Sequence, residues 1–388
     1  MTREDAAQSR ARSPARAVSA ESPPVAARRI AILFQDFAAG GTERIMVRLA
    51  NEWALNREVA IFCGSEAGPA RGAVLPRVHV FEAAPEISRS LVSRWMLGRR
   101  LSPMLGKWRP DVIVGPGNHV LPVILAMDRS AVPVVCKLSN PIDPAGHGII
   151  PSGWLAGLRR RACAPLAQIV AMSPSLRNEA TRYLRTDQVT VISEPILATL
   201  PDPIHPRPKR PRRRIVFAGR LVAQKNVALA LRTLAVLPVE MTLTIVGDGP
   251  DRPRLEALSR RLGLADRVTF VGLVADIRPY LEESDLFLLP SRFEGYPAVL
   301  IEALAAGLPV VATPCSPAMP EIVSDPSFGK VAHPDPITLA AAILSLERSD
   351  GPDPDRLAPL LAHHSLAASA SSWLACLDEV VQRTMARP

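Results

Sequence analysis

Four charged side chains have the types and spacing to hold a phosphorylated polyol. Glu294 and Glu302 are separated by seven residues in the segment SRFEGYPAVLIEALAAGLPVVAT, which runs from Ser291 to Thr313. A strand is expected to end at Pro290, a glycine-containing turn follows, and Pro297 suits the first turn of a helix. Glu294 then lies in the turn and Glu302 about one and a half turns into the helix, which puts the two carboxylates about 10 Å apart. That is the span from a sugar ring to a ribose across a diphosphate, and each carboxylate accepts hydrogen bonds from hydroxyl groups. Taken singly, Glu294 also reads as a dipole partner at a helix start and Glu302 as a solvated helix residue. The cations come from IVFAGRLVAQKN, Ile215 to Asn226. A buried strand runs into Gly219, which permits close backbone approach, and then come Arg220 and, five residues on, Lys225 near a helix start. An arginine fork and a lysine point charge together neutralise a diphosphate leaving group without a metal, although either alone reads as a surface cation.

The elements that must position these groups alternate along the chain. β-Branched apolar runs at Ile30 to Phe34, Val59 to Phe62, Val78 to Phe81, Val112 to Val114, Val134 to Lys137, Ile169 to Ala171 and Val189 to Ile192 read as strands, with helical patterns between them. A proline-rich, basic stretch then interrupts the pattern with Pro195, Pro201, Pro203, Pro206, Pro208 and Pro211. So much proline suits neither a helix nor a central strand. The alternation restarts at Ile215 to Ala218 and continues through Leu243 to Val246, Val268 to Phe270, Leu286 to Leu289 and Val310 to Ala312. The expected fold class is α/β, two Rossmann-like doubly wound parallel-sheet domains facing across a cleft, with ligands at the carboxyl ends of the strands. The expected boundaries are a disordered tail over 1–27, a first domain over 28–194, a linker over 195–213, a second domain over 214–362 and a closing helical segment over 363–388 that packs back toward the first.

The bulk numbers narrow the function classes. At 388 residues and 48% hydrophobic content the chain accommodates two domains with separate cores. The longest apolar runs, such as Val120 to Met127, are far short of the roughly 20 residues that span a bilayer. Five cysteines without a C-x-x-C pair suggest neither a disulfide framework nor a zinc site and fit a reducing cytoplasm. The N-terminal stretch lacks the apolar core of a secretory signal. A net charge of +9 implies an anionic partner, but aromatics make up only 4% and do not interleave with the basic residues, so nucleic acid is not expected.

The motifs together resemble the family 4 retaining glycosyltransferases, nucleotide-sugar enzymes of GT-B fold. The resemblance is carried by the G-R-x-x-x-x-K stretch, by Gly247-Asp248-Gly249-Pro250 after a strand, by Val271-Gly272, and by E-x7-E from Glu294 to Glu302. It extends over most of residues 29 to 345, strongly after 214 and weakly before. It implies that Glu302 holds the donor ribose and Glu294 the transferred sugar, with Gly295 and Tyr296 in the same turn beside the donor. Arg220, Lys225 and Gly219 take the diphosphate, and backbone groups near Gly272 and Leu273 cradle the base. In the first lobe, FAAGGTER after the first strand places Gly40 and Gly41 near the donor phosphate; a tight turn capped by Thr42 reads equally well from the residues alone.

Two positions depart from the family pattern. Many relatives carry a histidine after the strand that here ends in Lys137, followed by Leu138-Ser139-Asn140-Pro141; Lys137 and Asn140 are therefore candidate acceptor or donor-sugar contacts, with His119 as a further candidate. Glu194-Pro195 stands where Asn-Pro is commoner. The resemblance implies retention of anomeric configuration by front-face attack, with no cofactor and no metal; the D-x-D match at Asp353 and Asp355 falls in a proline-rich loop rather than after a strand. A UDP-sugar is the expected donor and a saccharide or lipid-linked saccharide the expected acceptor, in bacterial cell-surface glycan synthesis. The alternatives are another GT-B enzyme, such as a nucleotide-sugar epimerase, or a non-catalytic nucleotide-sugar-binding protein. Arg89 to Arg109 and Trp154 to Arg161 mix tryptophan, leucine and arginine as an interfacial segment does, so peripheral docking on the inner face of the cytoplasmic membrane is expected; an ordinary amphipathic helix is the competing reading.

Overall fold

The computed structural model describes residues 26–38, 41–87, 93–128, 132–138, 161, 163–201 and 213–386. Seven strands form the first sheet: β1 Arg29–Phe34, β2 Glu58–Cys63, β3 Val78–Glu82, β4 Val112–Gly115, β5 Val134–Lys137, β6 Gln168–Ala171 and β7 Val189–Val191. They lie in the order β3-β2-β1-β4-β5-β6-β7. Every pairing is parallel, as in β1 against β2, where Ile30 faces Val59 and Ile32 faces Ile61. The second sheet holds β8 Arg214–Ala218, β9 Thr242–Val246, β10 Val268–Gly272, β11 Leu286–Leu289, β12 Val310–Ala312 and β13 Gly329–Val331, in the order β10-β9-β8-β11-β12-β13. Both are doubly wound, and in each the order reverses beside the first strand: between β1 and β4, and between β8 and β11.

The central strands are buried on both faces, so they need continuous apolar runs rather than alternating ones. Ile30 to Phe34 and Leu286 to Leu289 are at most 1% exposed. Two buried clusters flank each sheet. In the first lobe, Leu97, Leu101 and Ile124 pack on one face, while Met46, Trp53 and Trp373 pack on the other. Each of the twelve expected strands coincides with an observed strand, and only Val189 to Ile192 overruns its strand, β7, by one residue. β13 escaped the sequence reading because Gly-Lys-Val is a short edge strand with two exposed residues and no apolar run.

The chain passes between the lobes twice. After β7 the segment Ile196–Leu197 is buried against the second lobe. Later the helix Pro354–His363 packs Leu357 and Leu361 into the second lobe, and the helix Leu366–Met385 returns to the first. The two passages touch: Leu197 N–H donates to the His364 carbonyl at 3.0 Å and Leu366 N–H to the Leu197 carbonyl at 2.9 Å. On the returning helix, Trp373 lies against Trp53 with ring centroids 5.8 Å apart. Its Asp378 carboxylate accepts from the Ala26 and Ala27 amides and pairs with Arg57 at 3.1 Å. Ala26 and Ala27, assigned by sequence to a disordered tail, are therefore ordered: Ala27 is fully buried, held by an acid more than 350 positions away. The rest of that tail, most of the linker, the Trp154–Arg161 segment apart from Arg161, and residues 89–92 of the other basic segment lie outside the described residues. No helix among the described residues is long and apolar enough to cross a membrane.

Candidate functional site

The loops after β8 and β11 leave adjacent strands at the switch point of the second sheet, so the two charged motifs meet there. Lys225 Nζ lies 2.6 Å from Glu294 Oε1, with 18% and 8% of the two side chains exposed. Ser291 Oγ donates to the same oxygen at 2.6 Å. Gln224 joins the loops a second time: its carbonyl accepts from the Arg292 amide at 2.8 Å, and its Nε2 donates to the Phe293 carbonyl at 2.9 Å. The Glu294 turn is also fastened to the segment after β12. Glu294 N–H donates to the Cys315 carbonyl at 2.6 Å, Thr313 Oγ1 to the Ser291 carbonyl and Ser316 Oγ to the Gly295 carbonyl. Burial, with the nearby Glu294 charge, pushes the Cys315 thiol up to about 12, so it stays protonated and is no nucleophile.

Glycine is required at two positions beneath these loops. Gly247 has φ 129°, and a Cβ there would fall 2.0 Å from the Gly219 carbonyl oxygen. Gly272 has φ 91°, with Arg252 Nη1 3.2 Å from where its Cβ would be. Arg252 is oriented by Asp248 at 3.1 Å and Glu256 at 2.8 Å. Leu273, immediately beyond, is 79% exposed, an open apolar surface among the described residues. Arg220 is exposed, with no side-chain hydrogen bond or ion pair among the described residues.

Glu302, in the helix Ala298–Ala305, belongs to a different group. It is partly buried, and burial pushes its carboxyl above the ordinary glutamate range, while Arg48 and Arg44 pull it back and Asp276 opposes them. Arg44 and Arg48 lie one turn apart on Gly41–Trp53, the first helix of the other lobe, so Glu302 faces the cleft and a cationic wall. Arg48 Nη1 also donates to the Ile196 carbonyl at 3.1 Å, and burial lowers its pKa. Lys225 and Glu294 are thus brought into contact, and Glu302 lies in the electrostatic field of the first-lobe arginines. The first lobe's share was missed in the sequence reading, although Arg44 closes the quoted FAAGGTER stretch and Arg48 follows one helical turn later.

The first-lobe candidates are distributed unevenly. Gly41 opens its helix in free space, where a Cβ would meet nothing within 4 Å. Gly40 and Asn140 lie outside the described residues. His119 sits half-buried in the turn Asn118–Val120 after β4. Lys137 ends β5 with its side chain 4% exposed and paired at 2.5 Å with Glu194. The two departures from the family pattern are therefore partners of each other, and Oε2 of Glu194 is buried without a partner among the described residues. Tyr296 is half-buried, its hydroxyl 2.8 Å from Nε2 of His364. Asp353 caps the helix Pro354–His363, accepting from the Asp355 amide at 3.0 Å, which is a structural role for the D-x-D match. No group of three or more metal-ligating side chains occurs among the described residues.

Two family models match the chain: "Glycosyltransferase Family 4" over residues 39–199 and "Glycosyl transferases group 1" over residues 212–349. An uncharacterized glycosyltransferase of Haemophilus influenzae is 25% identical over 297 residues, covering 75% of this chain and 82% of that protein. The N-acetylgalactosamine-N,N'-diacetylbacillosaminyl-diphospho-undecaprenol 4-alpha-N-acetylgalactosaminyltransferase of Campylobacter jejuni is 35% identical over 121 residues, 31% of this chain and 33% of that enzyme. Among solved structures, Anabaena HepE in complex with UDP-glucose superposes with a TM-score of 0.65 at 20% identity, over 93% of this chain and 100% of that one.

Proposed function

The chain belongs to the family 4, group 1 glycosyltransferases of GT-B fold, and on that premise we propose that it moves a sugar from a UDP-sugar to a saccharide or lipid-linked saccharide in bacterial cell-surface glycan synthesis. The observation that carries the donor site is the 2.6 Å contact between Lys225 and Glu294, made by loops that leave adjacent strands at a sheet's switch point. A ligand entering there meets the Lys225–Glu294 pair, and the exposed Arg220, which has no ion-pair partner among the described residues, is on the loop that carries Lys225. Arg220 and Lys225 take the diphosphate, Glu294 and the Gly295 backbone orient the transferred sugar, Glu302 receives the ribose hydroxyls, and the Gly272–Leu273 turn holds the base. UDP-glucose on a structural relative, and the lipid-linked acceptor in the name of the Campylobacter enzyme, support this choice of donor and acceptor class.

In the reaction the bond between the anomeric carbon and the diphosphate oxygen breaks, and its electron pair leaves with the phosphate, where the two cations stabilise the charge. The acceptor hydroxyl adds to the same face, and its proton passes to the departing phosphate oxygen, so configuration is retained. The positive charge comes from side chains, and no metal or cofactor enters a step. A thermal-shift panel of UDP-, GDP- and ADP-sugars tests the donor, with selective stabilisation by UDP-sugars expected. Nuclear magnetic resonance of the product tests the stereochemistry: an inverted anomeric centre excludes the front-face mechanism.

The acceptor side includes an anionic lipid surface. On the helix Ser93–Trp108, Trp95 and Met96 are 53% and 46% exposed beside Arg94, Arg99 and Arg100, and the Arg99 guanidinium lies 4.6 Å above the Trp95 ring. Leu125, on the helix packed against it, is 52% exposed. Tryptophan with flanking arginines suits a headgroup boundary, so the protein should float with anionic but not with neutral liposomes at low salt. Protein that stays at the bottom of the gradient with both refutes docking.

A further inference from the structure

The donor turn is held by more than its contacts to β12. The Tyr296 ring packs against a buried cluster of each lobe, so it wedges the seam between them. Its hydroxyl lies 2.8 Å from Nε2 of His364, and Nδ1 of His364 lies 3.0 Å from the Glu194 carbonyl oxygen. A carbonyl only accepts, so Nδ1 carries the ring proton. Burial lowers the His364 pKa and keeps the ring neutral, which leaves Nε2 as an acceptor and makes Tyr296 the donor. Burial, and after it the neighbouring Glu321 and Glu194 charges, raise the Tyr296 phenol and keep it protonated for that task. Glu194 in turn holds Lys137 at the carboxyl end of β5.

The four residues occupy particular places. Tyr296 is two positions from Glu294, Glu194 is on the first passage between the lobes, His364 is on the second, and Lys137 is at the cleft edge of the first sheet. Both passages are therefore bonded to one another and to the turn that carries the donor carboxylate. A second contact spans the same seam: Glu321, beside Tyr296, accepts from the Ser175 amide at the start of the first-lobe helix Pro174–Leu184 at 2.8 Å.

We propose that Tyr296 and His364 are positioning residues that tie the donor turn to both interlobe passages, so that donor contact at Glu294 and the angle between the lobes are set together. This rests on the donor reading above. A diphosphate that draws Lys225 off Glu294 loosens one side of the turn, and Tyr296 transmits the displacement to the passages. The coupling travels through a continuous bonded chain, which makes its parts non-additive when removed together.

The test uses the full chain, with UDP and whichever UDP-sugar the panel selects as probes. Tyr296→Phe keeps the ring and removes only the hydroxyl. His364→Asn keeps an N–H for the Glu194 carbonyl and removes the acceptor for Tyr296. Each single change should lower kcat about five- to tenfold, the effect of one neutral buried hydrogen bond, while the donor KM stays within about twofold. The double variant should be no slower than the slower single variant. In small-angle scattering, saturating UDP should shrink the radius of gyration of the wild type and leave that of both variants unchanged. An unchanged kcat in Tyr296→Phe, multiplied losses in the double variant, or normal UDP-induced compaction in both variants overturns the proposal. A wild type that neither binds nor turns over any nucleotide sugar overturns the donor reading instead, and the two failures are distinct.

Discussion

Lys225 and Glu294 neutralise each other while no donor is present, and this shapes what their substitution does. Replacing Lys225 by alanine leaves Glu294 with Ser291 as its side-chain partner and removes a cation from the proposed leaving-group site. We expect Lys225→Ala to lower kcat about 100-fold, in the range for a lost transition-state charge contact, and to cost about 1–2 kcal/mol of stability because a mostly buried carboxylate loses its counter-charge. Steady-state kinetics beside a urea titration check both. Glu302 behaves in the opposite sense. Its folded carboxyl holds a proton more tightly than in the unfolded chain, so the fold loses stability as pH rises from the ordinary glutamate range through that raised value. Glu302→Gln should therefore raise the melting temperature at pH 7 by about 1–2 °C, with no gain below pH ~4, where both states are protonated. The same substitution should weaken UDP binding, read by calorimetry, because a ribose hydroxyl loses a charged acceptor.

At the scale of elements, strand ends bring distant positions together, and this is where the sequence is only partly readable. The loops after β8 and β11 announced themselves through residue type and spacing, and adjacency of the two strands then placed Lys225 on Glu294. The strand cores were legible because burial on both faces demands unbroken apolar runs such as Ile30 to Phe34. The partners of Lys137 and Glu302 were not legible. Glu194 is 57 positions from Lys137, and Arg48, whose charge acts on Glu302, is on the other lobe, so each interaction depends on tertiary placement that no local pattern encodes. His364, next to His363 at a helix end, offered a doubled histidine as its one sequence mark. The Lys137–Glu194 pair also explains why two family departures occur together: a buried lysine needs a counter-charge, and asparagine would not supply one. Lys137→Met alone should destabilise by about 3 kcal/mol, since a buried carboxylate is left uncompensated. Adding Glu194→Gln should recover most of that loss in the same urea titration.

For the molecule as a whole, the lobes are unequal in how they are completed. The second lobe's sheet and both its clusters are built from residues 196–361 alone. The first lobe needs Trp373, Leu377, Val380 and Val381 from the returning helix to cover Trp53 and the strands beneath it. Deleting residues 366–388 should therefore leave the second lobe protected in hydrogen exchange while β1, β2 and the helix Gly41–Trp53 lose protection by about 100-fold or more. A Trp373→Ala variant should cost about 3–5 kcal/mol, the range for an emptied aromatic site.

The returning helix also orders events during synthesis. One of the first lobe's two buried clusters waits for Trp373 to Val381, translated more than 180 residues after the last strand ends at Val191. The nascent amino-terminal sheet must leave the ribosome with the Trp53 face uncovered and remain so while the entire donor lobe is made. The lobe translated later is then the earlier to mature, and a chaperone that shields bare aromatic surface would engage the first lobe until the helix Leu366–Met385 has emerged.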